Sequence, residues 1–310
     1  TAQFEAALGK AGRELTAFVG KFFALGHVSR QVFRALMEQE RCLIRLSAEF
    51  GVLREGAMGY LRALDKLRIY WGVTREAAVR GLVEIVDVGY RASEAMEILE
   101  EAFKLAAVTG NEVAETALLL GSAMGVFGST AFEASKVAES LFYMMSEGRL
   151  TLQDLDLGFH RLLVVTRPLG IALEELSAAY TVMSQKTTET YNIYLALMGV
   201  LKGMFRPTRQ VAQLLFEHGY ASGVAALKAE GLLGVMRMLW RAMEEGRIAL
   251  TDLIPDIRAV SGLAAITTED IEAMVEGFER LKRGETTYHA AVEAARRSFL
   301  RQWMEMREQM

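Results

Sequence analysis

Four histidines, His27, His160, His218 and His289, are the first place to look for chemistry, and their spacing is wrong for it. A helical zinc protease needs two histidines four residues apart with a glutamate between them. No pair here meets that, and single histidines near helix ends act as surface or dipole partners. Neighbouring carboxylates occur at Asp154 with Asp156, Glu174 with Glu175 and Glu244 with Glu245. Two acids flanking a sugar hydrolyse a glycosidic bond, but adjacent acids at helix starts and ends are solvated as a rule. Ser122 sits between Gly121 and Gly125 in an apolar run with no local base. The G-x-S-x-G elbow, the phosphate-cradling G-x-x-x-x-G-K and the dinucleotide fingerprint are all absent. These residues predict no catalytic side chain, no metal ligand set and no cofactor, so the chain reads as a non-enzyme.

What the sequence does specify is turns. Glycines fall at Gly72, Gly89, Gly110, Gly128, Gly148 and Gly170, each closing an apolar segment of helical length. A glycine past a helix end tolerates the left-handed backbone that terminates it. A short polar residue and then an acid follow, which suits the start of the next helix. Thr130 with Glu133 and Thr151 with Asp154 have the spacing of capping boxes. Behind the first, Ala134, Val137, Ala138, Leu141, Phe142 and Met145 form a stripe at helical steps. Alternation at a period of two never lasts, so no strand is expected. The fold class predicted is all-α: a compact array of short antiparallel helices preceded by a longer amphipathic helical segment.

Three regions follow from the pattern. Residues 1–70 read as a long amphipathic helix or a helical hairpin turning between Gly51 and Gly59. Residues 71–285 read as the helical core, and 286–310 as a charged C-terminal helix. Within the core, a helix runs from about Thr188 to Phe205, Pro207 opens another that closes at Gly219, and Thr267 with Asp270 caps a third. Residues Glu147–Leu155 reappear as Glu245–Leu253, which points to reuse of one turn chemistry. Two G-x-x-x-G spacings, Gly121/Gly125 and Gly199/Gly203, each bare one helix face for close approach by another helix. In lipid such faces drive dimerisation; Lys202 and the shortness of the apolar runs favour packing within a bundle in water.

Composition excludes several classes. Over half of the 310 residues are hydrophobic, three are proline and the formal charge is −4, so wholesale disorder is not expected. No basic stripe tracks a phosphate backbone, and no specific nucleic-acid partner is expected. One cysteine, Cys42, rules out an intrachain disulfide. No run reaches the 18 or so apolar residues of a membrane span. The chain begins at Thr1 and reads as a piece of something longer.

From Gly72 to Ala265 the sequence resembles the core region of bacteriophage tail tape measure proteins, the phage-related minor tail protein family. The residues that carry the likeness are Gly72-Val-Thr-Arg-Glu-Ala, Gly89-Tyr-Arg-Ala-Ser-Glu-Ala and Leu105-Ala-Ala-Val-Thr-Gly. Ala131-Phe-Glu-Ala-Ser-Lys-Val-Ala, Leu169-Gly-Ile-Ala-Leu-Glu-Glu-Leu, Arg206-Pro-Thr-Arg and Glu217-His-Gly-Tyr complete them. The family's cap after Gly170 is replaced by Ala172, which should weaken that helix start by about 0.5–2 kcal/mol. The resemblance implies a multi-copy virion protein made in the host cytoplasm, which sets tail length and leaves with the genome. It also implies contacts with copies of itself, the tail tube, the tail tip and an assembly chaperone. A membrane-active pore for genome passage is the alternative, with membrane contact left open, and a wall-degrading domain is the third reading.

Overall fold

Short polar residues start the helices. The Thr74 hydroxyl accepts the Ala77 amide at 3.2 Å, and Glu76 lies in the first turn of the helix that follows. Thr267 and Asp270 satisfy each other's amides at 2.9 and 3.2 Å. The computed structural model describes residues 30–127, 133–187, 189–254, 260 and 262–309. Among the described residues there are fifteen α-helices and no strand, so the fold is all-α.

The helices are α1 (Arg30–Phe50), α2 (Arg54–Trp71), α3 (Arg75–Asp87), α4 (Ala92–Thr109) and α5 (Val113–Phe127). There follow α6 (Ala134–Ser146), α7 (Leu152–Asp154), α8 (His160–Thr166), α9 (Leu173–Ser184) and α10 (Thr190–Phe205). The last five are α11 (Arg209–Glu217), α12 (Gly223–Glu244), α13 (Leu250–Leu253), α14 (Thr268–Lys282) and α15 (Tyr288–Gln309).

The chain divides into two compact units, Thr1–Asp65 and Lys66–Met310. In the first, α1 buries Cys42, Leu43 and Leu46, and α2 buries Ala57, Leu61 and Leu64. The turn between them is tighter than Gly51–Gly59: Gly51 takes φ +60°, while Gly56 and Gly59 lie inside α2. Arg54 grips Glu40 with two bonds of 2.8 and 2.5 Å, and Phe50 meets Tyr60 edge-on at 5.2 Å.

The second unit is assembled around α9. Ten of its twelve residues are buried, from Leu173 to Met183, and it packs against α6, α10, α12 and α14. Its small residues permit this: Ala178 faces Gly277 of α14, where an added methyl would lie 3.5 Å from the Ala178 Cβ. A neighbouring group joins α3, α4 and α5. α15 comes back onto α4 and α6, burying Tyr288 against Phe142 with ring centres 5.4 Å apart. The Phe299 ring covers Gly72 so closely that any Cβ there would collide with it.

Three helix starts depart from the sequence reading. Pro207 precedes the capping residue and does not open the helix, because the Thr208 hydroxyl takes the cap and α11 begins at Arg209. α10 starts at Thr190. The helix expected beyond Thr151 is interrupted by a π-helical turn, Leu155–Phe159. Gly158 sits in that turn, with the Tyr180 hydroxyl 2.8 Å and the Tyr194 Cβ 3.1 Å from where its side chain would begin. Close approach of two tyrosines leaves no room for a side chain at this position of the turn.

Candidate functional site

The glycines are placed as follows. Gly72, Gly89, Gly110, Gly170 and Gly219 take φ of +67, +115, +75, +77 and +84°, the region that favours glycine. Gly148 does not. The left-handed residue of that turn is Arg149 at φ +54°, and Gly148 is needed because a side chain there would stand 2.5 Å from the Met144 carbonyl oxygen. Gly128 and Thr130 lie outside the described residues, and Glu133 directly precedes α6.

The paired glycines pack helices within the unit. Gly121 faces Ile85 and Val88, and Gly125 faces Val88, all from the end of α3. Gly199 is buried in α10, and Gly203 lies hard against the Leu253 carbonyl of α13. Gly121, Gly199 and Gly203 are buried within the unit while Gly125 is exposed, and no helix among the described residues is long and apolar enough to cross a membrane.

Thr151 and Asp154 form a reciprocal cap, with bonds of 2.8 Å from the Thr151 amide and 3.2 Å from the Asp154 amide. Asp154 Oδ1 also receives the Thr190 hydroxyl at 2.9 Å, which ties the cap to the start of α10. Burial alone would raise this carboxyl, but the hydroxyls of Thr151 and Thr190 and the Thr151 amide together hold it below the usual range. The echo of this segment keeps only half the chemistry. Ala249 has no side-chain acceptor, so the Asp252 carboxylate alone acts, taking the Ala249 amide at 2.8 Å. There the left-handed residue is Gly246, at φ +71°.

The most unusual group is Glu175. It is third in α9, 5% exposed, and collects backbone amides from two helices at once. The Leu233 amide donates to Oε1 at 2.7 Å across 58 residues of sequence, joined by the amides of Leu232 and Ala172. Ala172, the start lacking a hydroxyl, is thus served from the other end of its own turn. Leu232 and Leu233 begin the second half of α12, which is broken at Gly231 (φ +73°, ψ −175°), a conformation open essentially to glycine alone. Burial pushes the Glu175 carboxyl above its ordinary range, and the three amides pull against that without cancelling it. Sequence reasoning treated Glu174 and Glu175 as a solvated pair, and for Glu175 that is corrected: the apolar cover of α12 and α14 removes it from water.

A second buried acid, Glu139, receives the Thr286 hydroxyl, while the Tyr288 hydroxyl reaches Glu101 at 3.4 Å. Burial, with the Glu101 charge, drives the Tyr288 hydroxyl far above its normal range, so it serves as a neutral donor. These bonds fasten the start of α15 to α4 and α6.

Glu175 carries backbone amide donors on its carboxyl group, and no group of three His, Cys, Asp or Glu among the described residues could hold a metal. His218 bonds its own helix at the Leu214 carbonyl, and His289 stacks on Tyr288. Several large apolar side chains reach the solvent, Phe216 at 75% and Val164 at 57% among them. A cleft of about 380 Å³ lies between α5 and α7, lined by Glu115, Leu118, Leu119, Leu152, Gln153 and Asp156.

Parts of the chain are matched in known proteins. Over 142 residues it is 24% identical to the tape measure protein of Pneumococcus phage Dp-1, covering 46% of this chain and 12% of that protein's length. No solved structure matches. Residues 62–253 match the phage-related minor tail protein family, a stretch that holds Glu175, the break in α12 and every turn from Gly72 to Gly246. That is more than half of the chain, and the chain belongs to the phage-related minor tail protein family.

Proposed function

We propose that this chain is part of a tail tape measure protein and that residues 66–310 form its docking and assembly module. The module holds to copies of itself and to tail tube, tail tip and chaperone partners, and takes part in genome delivery from the virion. The observation that carries this is that the chain folds into short helices, none longer than 22 residues among the described residues, which turn back on one another and pack around α9. An unbroken helix gains about 1.5 Å per residue along its axis. A chain that folds back on α9 gains almost none, so measuring length falls to sequence outside this unit. The tape measure name of the Dp-1 relative supports the assignment, and the tight packing of Gly121 and Gly203 within the unit favours contact over membrane insertion.

The test is an in-frame deletion of the segment corresponding to residues 66–310 in a phage that carries this protein. A ruler segment would shorten tails by about 370 Å for roughly 245 residues. The docking reading expects tails that fail to assemble or particles that fail to infect, with no tails shortened in that proportion. Infective phage with tails shorter by that amount would refute it.

A further inference from the structure

We infer that α12 is a two-state helix and that the Glu175 carboxylate decides which state it takes. At 3.6 residues per turn, the buried residues of its first half (Gly223, Ala226, Leu227) and of its second half (Leu232, Leu233, Met236, Leu239, Trp240) would lie roughly half a turn apart on an unbroken helix. One straight rod cannot dock both stripes on the same core. The break at Gly231 re-phases them, and it exists where Glu175 takes the amides of Leu232 and Leu233.

The alternative is close at hand. In a continuous helix the Leu232 amide donates to the Lys228 carbonyl and the Leu233 amide to that of Ala229. Those donors exchange partners and none is orphaned. The sequence Gly223–Glu244 contains no proline, and Gly231 enters a right-handed helix without strain. Trp240, bonded through Nε1 to the Ile266 carbonyl at 2.8 Å, and the Leu239 and Met236 beside it keep the second half docked. Straightening therefore lifts the first half away: Gly223 leaves the Met204 backbone it touches, Ala226 and Leu227 come into solvent, and Tyr220 parts from Glu230. A contact face that is covered in one state is offered in the other, under the control of a single side chain.

The test uses the whole chain in a Cys42→Ala background, with spin labels at Lys228 and Arg241, both exposed. On a continuous helix their Cα atoms are about 20 Å apart, and a bend at Gly231, which lies between them, is expected to shorten that separation. Glu175→Gln, which keeps an acceptor oxygen, should retain the short separation. Glu175→Ala removes the acceptor and should lengthen it towards the straight value. Gly231→Ala, which forbids the broken conformation with Glu175 intact, should lengthen it as well. The inference is overturned if Gly231→Ala keeps the short separation, or if either alanine variant loses its helical circular dichroism with no lengthened population.

Discussion

Alanine placed at two glycines of the same motif type should change stability in opposite directions. At Gly203 a new Cβ would stand 2.5 Å from the Leu253 carbonyl oxygen and 2.9 Å from its Cδ1. The oxygen is backbone and belongs to α13, which is pinned by the Thr208 hydroxyl on the adjacent Asp252 carbonyl at 2.9 Å. Reaching an ordinary contact requires α10 and α13 to separate by nearly an ångström, an overpacking that costs about 1–3 kcal/mol. Against this stands a gain of about 1 kcal/mol from replacing a glycine in a helix interior. At Gly121 the nearest atoms, of Ile85 and Val88, are 3.7–3.8 Å away, so the methyl fits and the helix gain of about 0.4–1 kcal/mol remains. The two variants should differ by about 1–3 kcal/mol, and each kcal/mol moves the melting temperature of a unit this size by about 2–4 °C. Thermal and urea melts of wild type, Gly121→Ala and Gly203→Ala measure it. If Gly203→Ala melts at or above Gly121→Ala, then the α10–α13 approach is not tight and the packing argument fails.

Two further outcomes follow from the caps. Ala172→Ser adds a hydroxyl for the free amides of the first turn of α9 and should raise the urea midpoint by an amount worth about 0.5–2 kcal/mol; an unchanged midpoint would mean Glu175 leaves no donor unsatisfied. The acids should respond to pH with opposite signs. Asp154 and Asp270 are held below the usual carboxylate range, burial notwithstanding, by hydroxyl and amide donors and, for Asp270, by Lys186 at 2.8 Å. Their contribution is present above the ordinary carboxylate value and lost as pH falls through the depressed folded values, so Asp154→Asn should converge on wild type in acid. Glu175 is raised by burial, so its contribution is present below the ordinary glutamate value and lost as pH rises through the folded one. Wild type should thus lose ground to Glu175→Gln on going from acid to neutral pH, and a gap in melting temperature that does not change with pH would contradict this.

Local signals were legible and distant ones were not. Gly110 and Gly170 could be placed because a helix end announces itself within a few residues: an apolar run, a glycine, then polar residues and an acid. The Thr151–Asp154 cap is equally local. Arg149 was hidden because the identity of the left-handed residue in that turn is decided by the tight fit of Gly148 against Met144 and Ser184, and Ser184 lies 36 residues on. Pro207 was misplaced by two residues because Thr208, beside it, competes for the cap and wins with a side-chain bond. Glu175 was missed for a similar reason, since its principal donor is 58 residues away. One clue was present: an acid third in a helix whose capping position, Ala172, has no hydroxyl. Gly231 looks in sequence like any helical glycine, and only the opposed apolar stripes on either side of it betray the break.

The way α9 is enclosed has a bearing on how the unit comes apart. A helix walled in on every side has no edge from which fraying can begin, and α6, α10, α12 and α14 each lose part of their own apolar cover when it goes. Under a pulling force or partial denaturation the periphery yields first, with α15 and the leading half of α12 among the outer pieces, while the middle resists until it gives way in one step. Such a body is poorly suited to being drawn out gradually, and well suited to an all-or-none response to load.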